Sequence, residues 1–323
     1  MTSVTVSAGA RLHFGFQNLS LARERLYGGI GVGLERPRVE VTVTPDDDVV
    51  ADDPLVAAYA ERACAALEVP GVSVTVDRRL PRHVGLGSGT QLALAVLQAT
   101  AATHGVDVSV REQAPALGRA GRSGIGVATF ESGGFVADAG HPTGRFTTDP
   151  PAEGDWTVPP VVTRHDLPED WRFLVVIPAI DPGRSGDDED DSIRRVIEAA
   201  DPHIADDIAG LLTRRLLPAA AEGRLEAFGE AIAAIGHKNG AWYTDVQGGV
   251  FRPPAGELVD TLSASPVVTG VGQSSWGPTV YGVTDVDHAD EAVGAAESAL
   301  ESAGIAGSVQ LSRAASDGAR VEP

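Results

Sequence analysis

A chain of 323 residues, of which 43% are apolar, is long enough for two domains or for one large domain with a substantial core. Its formal net charge of −20 leaves no basic stripe, so the composition excludes nucleic acid as a partner. No apolar run reaches the length of a transmembrane helix and no signal sequence is recognisable, which predicts a cytoplasmic protein without membrane contact.

Lysine and cysteine are nearly absent. Lys238 is the only lysine, and a dense acidic surface of this kind predicts adaptation to a salt-rich cytoplasm, because salt screens the repulsion between carboxylates. Cys64 is the only cysteine and lies on the apolar side of a helical pattern, where a buried, unreactive thiol is expected. The acidic run at residues 187–191 fits either a Mg²⁺ site or a solvated helix N-terminus.

The first half of the chain alternates between periodic and glycine-rich segments. Patterns with a period of two predict strands at residues 3–8, 39–43, 72–77 and 135–138. Helical patterns occupy residues 55–67, 91–103 and 110–117. Residues 118–134 are rich in glycine, and residues 141–170, which are rich in Pro, Thr and Asp, are interpreted as a linker.

The second half begins with an apolar run at residues 173–177 that predicts a buried strand. Helical patterns follow at residues 192–200, 204–217, 225–235, 256–262 and 289–302. Further strands are predicted at residues 266–269, 279–281 and 308–311. This order is typical of an α+β sandwich, and the predicted domains are residues 1–160 and 161–323.

A glycine-rich loop, PRHVGLGSGT at residues 81–90, joins a predicted strand to a predicted helix. Glycines let the backbone approach a ligand, and amides at a helix N-terminus favour an anion. The loop has no Walker lysine and lacks the glycine spacing of a dinucleotide fingerprint. A tight turn without a ligand is the alternative. The favoured prediction is a phosphate or pyrophosphate site formed by Gly85, Leu86, Gly87, Ser88, Gly89 and Thr90.

Three glycine-containing motifs stand in order along the chain: RLHFG at residues 11–15, the loop at residues 81–90, and QSSWGPT at residues 273–279. Their order and spacing resemble the motifs of the GHMP kinase superfamily, whose phosphate loop is nearly matched by Pro81-x-x-x-Gly85-Leu86-Gly87-Ser88. The resemblance implies a two-domain α+β fold. It would have an N-terminal domain like ribosomal S5 domain 2 and a C-terminal ferredoxin-like α/β sandwich.

The chain departs from the kinases of that superfamily at several positions. Many of them carry a Ser-Gly-x-Asp motif with a catalytic Asp, and here the comparable segment ends in Gly126. Gly89 replaces the second Ser of the phosphate loop, and the first half contains no lysine. Phosphoryl transfer depends on positioning and on cationic stabilisation, so these changes disfavour an ordinary kinase.

Residues 83–95, 121–128 and 274–281 closely resemble one non-kinase branch, the β-ribofuranosylaminobenzene 5′-phosphate synthase family, and the resemblance covers almost the whole chain. It implies condensation of phosphoribosyl pyrophosphate with 4-hydroxybenzoate or 4-aminobenzoate, with release of CO₂ and pyrophosphate. It also implies a requirement for Mg²⁺ and a homodimer. The alternatives are an ATP-dependent small-molecule kinase and a non-catalytic protein that binds phosphoribosyl pyrophosphate or a nucleotide.

Candidate site residues lie in and beside the three motifs. His13 and His83 are candidate general bases, and Asp138 is a candidate catalytic carboxylate, although a buried, hydrogen-bonded carboxylate is the plainer interpretation. Trp276 either packs in the core or forms an aromatic wall for the benzoate ring. The candidate contacts to anionic groups, whose arginines could instead form structural salt bridges, are Arg11, Arg122, Ser123, Gly124, Arg184, Ser275, Gly277 and Thr279.

Overall fold

The computed structural model of this protein describes residues 3–146, 151–152, 154–181 and 187–323, with the backbone alone at residues 187–191. Two antiparallel sheets, each covered by helices, make up this part of the chain. The mixed architecture confirms the predicted α+β class. None of the helices in these ranges is long and apolar enough to cross a membrane.

The first sheet is centred on two long strands that pair with each other along most of their length, from Val4 opposite Val43 to Asn18 opposite Tyr27. Its strands are β1 (Val4–Asn18), β2 (Arg25–Pro45), β3 (Val72–Arg78), β4 (Phe135–Asp138), β5 (His141–Pro142), β6 (Val161–His165) and β11 (Arg320–Glu322). The strand order is β11-β1-β2-β4-β6, with β3 and β5 also paired to β2.

Irregularities in the central pair fall at the first motif. The register between β1 and β2 shifts between Gly9 and Arg11 and again between His13 and Gly15. Because a bulge re-aims the side chains beside it, these shifts set the directions of Arg11 and His13.

Helices on the first sheet are α1 (Pro54–Leu67), α2 (Ser88–Thr103), α3 (Val110–Gln113) and α4 (Ile125–Ser132). Almost every residue of α2 from Gln91 to Ala101 is buried, as its continuous apolar sequence predicts. Cys64, on α1, is buried, as the sequence analysis predicted. The sequence analysis did not predict α4, because Gly126 within the helix and Gly124 and Gly133 beside it weaken the helical pattern.

The second sheet has the order β10-β7-β9-β8, and its strands are β7 (Trp171–Pro178), β8 (Thr269–Gln273), β9 (Val280–Asp285) and β10 (Gly307–Ser312). Its helices are α5 (Asp187–Ala199), α6 (Pro202–Leu211), α7 (Leu217–Glu222), α8 (Leu225–Gln247), α9 (Ala255–Ser263) and α10 (Ala289–Ser302). A π-helical turn at Leu212–Leu216 links α6 and α7. The central helix α8 runs well past the predicted end at residue 235.

A single apolar core joins the two sheets. Phe14 on β1 lies with its ring centroid 6.4 Å from Phe135, 6.5 Å from Phe173 and 5.0 Å from Tyr281. Phe173 and Tyr281 belong to the second sheet, so β1 contributes to both halves of the molecule. The predicted linker contains β6, which pairs with β4 of the first sheet. The predicted boundary between residues 160 and 161 stays a prediction.

Candidate active site

The three glycine-containing motifs meet at one place. Residues 11–15 lie on β1, residues 81–90 precede and begin α2, and residues 273–279 connect β8 to β9. The motifs are joined in pairs by backbone hydrogen bonds, from the N–H of Arg11 to the carbonyl of Leu86 (3.1 Å), from Ser275 to His13 (3.2 Å) and from Thr279 to Val84 (3.2 Å). Segments that are distant in sequence therefore form one rigid unit.

A buried serine hydroxyl cross-links the same three motifs. Ser274 Oγ accepts a hydrogen bond from the N–H of His13 (3.0 Å) and donates one to the carbonyl of Gly85 (2.7 Å). Ser274 is fully buried, so both bonds are protected from water. The sequence analysis did not single out Ser274, although it lies within the third motif.

Close backbone approach explains one glycine of the third motif. A Cβ on Gly277 would lie 2.0 Å from the carbonyl carbon of Val84 and 2.2 Å from the amide nitrogen of Gly85. Gly277 therefore holds the third motif against the phosphate loop. Of the other candidates there, Ser275 is exposed with a φ of 55°, and Thr279 is fully buried.

The phosphate loop has the geometry of an anion site. Gly87, the N-cap of α2, has a φ of 77°, and no side chain caps the helix. The first amides of a helix without a side-chain cap are available to an anion, which the helix dipole also favours. Of the amides here, that of Thr90 already donates to the carbonyl of Gly87 at 3.1 Å. Ser88, Gly89 and Thr90 are half-buried residues, whereas Leu86 is fully buried. Leu86 therefore offers the site its backbone alone.

The side chain of Arg11 supports the phosphate loop by direct contact. Its Nη1 donates a hydrogen bond of 2.6 Å to the carbonyl of Gly85. A Cβ on Gly87 would lie 2.9 Å from Arg11 Cγ, so the arginine stem packs directly under the loop. The residue predicted to contact an anion thus has a structural contact with the loop that would contain the anion.

A chain of polar groups connects His13 of the first motif to Asp138, with both ends buried and Ser123 between them half-buried. His13 Nε2 lies 3.2 Å from Ser123 Oγ, and Ser123 Oγ donates a hydrogen bond of 3.4 Å to Asp138 Oδ2. Burial, with the nearby charge of Arg11, lowers the pKa of His13 to about 3, so its imidazole is neutral. Burial raises the pKa of Asp138 to about 6, although backbone amides donate to it, so this carboxyl group takes up a proton more readily than usual.

Asp138 also fixes the start of α4. Its Oδ2 accepts a hydrogen bond of 2.8 Å from the N–H of Gly124, and its Oδ1 accepts one of 2.8 Å from Gly140. Asp138 is fully buried. The carboxylate is therefore buried and hydrogen-bonded, as the plainer interpretation of the sequence predicted.

The remaining predicted site residues are dispersed. His83 is exposed on the loop, with a φ of 58°. Arg122 is half-buried directly before Ser123. Arg184 lies outside the described residues. The structure therefore joins His13, but not His83, to this chain of polar groups.

Arg119, which the sequence analysis passed over, lies beside the phosphate loop. Its guanidinium stacks over the ring of Tyr59 at 5.5 Å, and a Cβ on Gly89 would lie 3.2 Å from its Nη1. The backbone carbonyl of Arg119 accepts a hydrogen bond of 2.7 Å from Trp156 Nε1. A second arginine, Arg145, lies over the Trp156 ring at 5.5 Å.

Arg119 and Arg145 contact Trp156 in different ways, Arg119 through its backbone carbonyl and Arg145 through its guanidinium. Within the described residues, neither arginine forms a salt bridge, whereas other arginines pair with carboxylates, as Arg111 does with Glu131. Arg145 Nη1 donates to His141 Nδ1 at 2.6 Å; burial, followed by the charge of Arg145, lowers the pKa of His141 to about 4. Of the two arginines, Arg119 is the one that places positive charge beside Gly89 of the phosphate loop.

Comparison with known proteins identifies the family. The family of GHMP kinases N terminal domains matches residues 54–134, and the family of GHMP kinases C terminal domains matches residues 216–302. The beta-ribofuranosylphenol 5′-phosphate synthase of Methanothermobacter thermautotrophicus is 35% identical over 296 residues, covering 87% of this chain and 88% of the relative. That of Archaeoglobus fulgidus is 32% identical over 281 residues, covering 85% and 86%. This chain belongs to the beta-ribofuranosylphenol 5′-phosphate synthase family.

Solved structures of GHMP kinases share the fold. Lactococcus lactis galactokinase superposes with a TM-score of 0.68 at 11% identity, covering 98% of this chain and 95% of that one. Homoserine kinase from Cytophaga hutchinsonii superposes with a TM-score of 0.62 at 16% identity, covering 100% and 98%. The predicted GHMP kinase-like fold and the resemblance to the synthase family are both confirmed, and the chain is an enzyme of that family.

Gly126, at the position of the Asp expected from the kinase motif, lies against α2. It is buried on α4, and a Cβ there would lie 2.9 Å from Thr90 Cγ2 on α2. The Gly126 carbonyl accepts a hydrogen bond of 2.8 Å from the buried Gln91 amide. A larger residue at this position would require the Thr90 side chain to move.

The described residues contain no group of three or more His, Cys, Asp or Glu side chains that could hold a metal ion. The acidic run at residues 187–191 begins α5, and its side chains lie outside the described set. Mg²⁺ is often held by substrate phosphates, water and one or two carboxylates instead of an all-protein cage. The predicted Mg²⁺ requirement therefore stays a prediction.

Proposed function

We propose that this synthase-family enzyme joins C1 of phosphoribosyl pyrophosphate to the ring carbon of an aromatic acid. The acid is 4-hydroxybenzoate or 4-aminobenzoate, and the reaction is an early step of methanopterin-type pterin biosynthesis. The products are a β-ribofuranosyl arene 5′-phosphate, CO₂ and pyrophosphate. The relatives' name specifies the phenol product, which favours 4-hydroxybenzoate. The observation that carries the proposal is the uncapped helix N-terminus of the phosphate loop, bonded to the other two motifs.

The bond changes balance without an external base or oxidant. The C1–O bond to pyrophosphate breaks, and the ribose gains oxocarbenium character. The ring carbon that bears the carboxylate then attacks C1. The bond to the carboxyl carbon breaks, its electron pair restores aromaticity, and CO₂ leaves. The enzyme must orient the two substrates, stabilise the departing charge and exclude water, which would otherwise hydrolyse the cation.

Roles for the residues follow from their positions. The amides of residues 85–90 would bind the pyrophosphate, and Mg²⁺ bound with this substrate would neutralise its charge. Arg119, beside Gly89, would receive the remaining phosphate charge. The chain of His13, Ser123 and Asp138 would hold a proton beside the first motif. The implied homodimer and the cytoplasmic location remain parts of this proposal.

A turnover assay tests the proposal. The protein is incubated in molar KCl with Mg²⁺, phosphoribosyl pyrophosphate and carboxyl-labelled 4-hydroxybenzoate, with a parallel tube for 4-aminobenzoate and another for ATP alone. We expect labelled CO₂ that depends on phosphoribosyl pyrophosphate. A folded protein that releases none contradicts the proposal, and hydrolysis or transfer in the ATP tube would support the kinase alternative. Repeating the assay at low salt tests the predicted salt adaptation.

A further inference from the structure

Strand β11 forms one edge of the first sheet. Its residues, Arg320–Glu322, pair with β1 on one side, and no other strand of the described chain pairs with the outer side. Every residue of β11 is exposed. An open edge presents backbone N–H and C=O groups that can pair with a further strand. Adding a strand to such an edge is a recurring way in which two chains associate.

Val321, in the middle of β11, exposes apolar surface at this edge. It lies opposite Val6 of β1, which is fully buried, and therefore on the face of the sheet that packs against the core. Val321 itself is 45% exposed, because it belongs to the outermost strand. A strand placed along β11 would cover this side chain and continue the apolar face of the sheet.

The two neighbours of Val321 carry opposite charges. Arg320 lies opposite Ser7 and Glu322 lies opposite Thr5, so both side chains lie on the other face of the sheet from Val321. If two copies of β11 pair antiparallel with the two Val321 residues opposite each other, Arg320 of each copy lies opposite Glu322 of the other. Residues in this relation have Cβ atoms roughly 5 Å apart, and opposite charges there stabilise the pair. The strand is therefore complementary to a second copy of itself.

The surroundings of Arg320 favour an additional carboxylate. Arg320 and Arg313 share the carboxylate of Glu35, at 3.9 Å and 3.0 Å. Desolvation, followed by the nearby charge of Arg320, lowers the pKa of Arg38, although neighbouring carboxylates partly offset this effect. Several arginines therefore lie close together at this edge, in a chain whose formal net charge is −20. The carboxylate of Glu322 from a second copy would reduce the repulsion between them.

The edge strand at the other end of the sheet order, β6, does not have this complementarity. It also exposes apolar side chains, because Val161 is 39% exposed and Val162 is 65% exposed. The five residues of β6 include no acidic residue, so two copies of this strand could not pair opposite charges. Arg164 of β6 already bonds Asp166 of its own chain at 2.7 Å. Exposed valine is therefore common to both edges, and the charge pattern distinguishes β11.

We propose that two copies of this chain associate through β11, with the strands antiparallel and a two-fold axis at Val321. The first sheets of the two copies then form one continuous sheet. In such a contact the same surface serves both copies, so each pair of Arg320 with Glu322 occurs twice. Three paired residues on each side bury less than the roughly 800 Å² per partner of a standard interface, so the dimer dissociates on dilution. The inference does not depend on the proposed reaction, and it gives a surface to the proposed homodimer.

Charge reversal tests both the surface and the register. Arg320→Glu places carboxylates opposite each other across the axis, and Glu322→Arg places guanidinium groups opposite each other. An equal mixture of these two variants can form a heterodimer in which every carboxylate again faces a guanidinium. Val321→Asp places two carboxylates at the axis itself, and its matched control is Val162→Asp on the other edge. Sedimentation velocity over a range of protein concentrations, at one KCl concentration, measures association, and circular dichroism checks that each variant is folded.

We expect a wild-type dimer whose dissociation constant rises by about tenfold or more in Arg320→Glu, in Glu322→Arg and in Val321→Asp. The mixture of the two charge reversals should return to within about threefold of wild type, and Val162→Asp should associate like wild type. A wild-type dimer that the three folded β11 variants leave unchanged would overturn the assignment of this surface alone. A wild-type protein that stays monomeric at every concentration would overturn the inference together with the proposed homodimer. Labelled CO₂ release is scored separately, so the proposed reaction stands or fails independently.

Discussion

The two sides of the third motif are built by different means. On one side, backbone amides, positive-φ glycines and flanking arginines form a site for phosphate, and close backbone contacts fix its geometry. On the other side, aromatic rings from β1, α8 and the motif itself line a small cleft. The first side therefore presents fixed polar groups, which suit charge, and the second presents apolar ring surfaces. The third motif contributes residues to both sides.

The largest expected effect breaks the phosphate side alone. Gly87→Val puts a β-branched residue at a φ of 77° and drives its Cβ into Arg11. We expect pyrophosphate affinity, measured by titration calorimetry, to fall by on the order of 100-fold or more while the fold is retained. The control is Gly105→Val, which has a φ of 67° and open space around its Cβ. Equal losses in both variants would attribute the effect to backbone strain alone.

The next effect concerns charge on the phosphate side. Arg119→Ala removes a guanidinium that stacks on Tyr59 beside Gly89. We expect the KM for phosphoribosyl pyrophosphate to rise about tenfold to 100-fold, because charge-assisted hydrogen bonds are the strong ones. The control is Arg224→Ala, which breaks an exposed pair with Glu222 and should leave the KM unchanged. An unaltered KM in Arg119→Ala would make the residue structural.

A smaller effect reaches both sides through Ser274. Replacing Ser274 with Ala leaves the N–H of His13 and the carbonyl of Gly85 without this partner. We expect a loss of about 1–3 kcal/mol in the free energy of unfolding, measured in urea, and weaker binding of both substrates. Ser302→Ala at the exposed end of α10 is the control. A Ser274→Ala protein of wild-type stability would show that the cross-link contributes nothing.

The smallest effect is a change in how stability depends on pH. The pKa of Asp138 rises from 3.8 to about 6 on folding, so its contribution falls as pH increases through that range. The pKa of His13 falls from 6.5 to about 3, so its contribution rises with pH over an overlapping range. Between about pH 4 and 6 the two oppose each other.

Asp138→Asn should therefore make stability rise more steeply with pH over that interval, by at most about 1.4 kcal/mol per pH unit. Unfolding in urea at several pH values measures the slope. The control is Asp206→Asn, because the pairing of this exposed carboxylate with Arg23 lowers its pKa, so that it titrates below this interval. If the free energy of unfolding changed with pH in parallel for wild type and Asp138→Asn, the opposing contributions of Asp138 and His13 would be contradicted. Replacing the hydrogen-bonded carboxylate of Asp138 is also expected to lower stability at every pH. This loss does not affect the test, because only the change in the free energy of unfolding per pH unit is compared.

The phosphate side was largely predictable from the sequence, and the aromatic side was not. Residues 81–90 form a continuous segment in which glycine spacing, a preceding strand and a following helix all indicate the same site. The cleft combines Phe16, Tyr243 and Trp276, which are far apart in sequence and which single-residue patterns assign to ordinary packing. The hypothesis that Trp276 forms an aromatic wall identified one of these residues.

The sequence analysis also missed α4, β6 and Arg119, because each depends on contacts with distant segments of the chain. The one glycine within α4, Gly126, packs against Thr90, and the glycines that flank the helix, Gly124 and Gly133, further weaken its helical pattern in the sequence. Strand β6 is five residues long and depends on β4 for its hydrogen bonds, so the surrounding prolines dominated its interpretation. Arg119 was overlooked because its role depends on Tyr59 and Trp156, which approach it from other segments.

The most direct measurement is the pair of KM values of Arg119→Ala in the labelled-CO₂ assay. We predict that this variant raises the KM for phosphoribosyl pyrophosphate by about tenfold or more and leaves the KM for the aromatic acid within about twofold of wild type, because Arg119 lies beside Gly89 of the phosphate loop. An unchanged KM for phosphoribosyl pyrophosphate, or a parallel rise in both KM values, would contradict the assignment of the phosphate side.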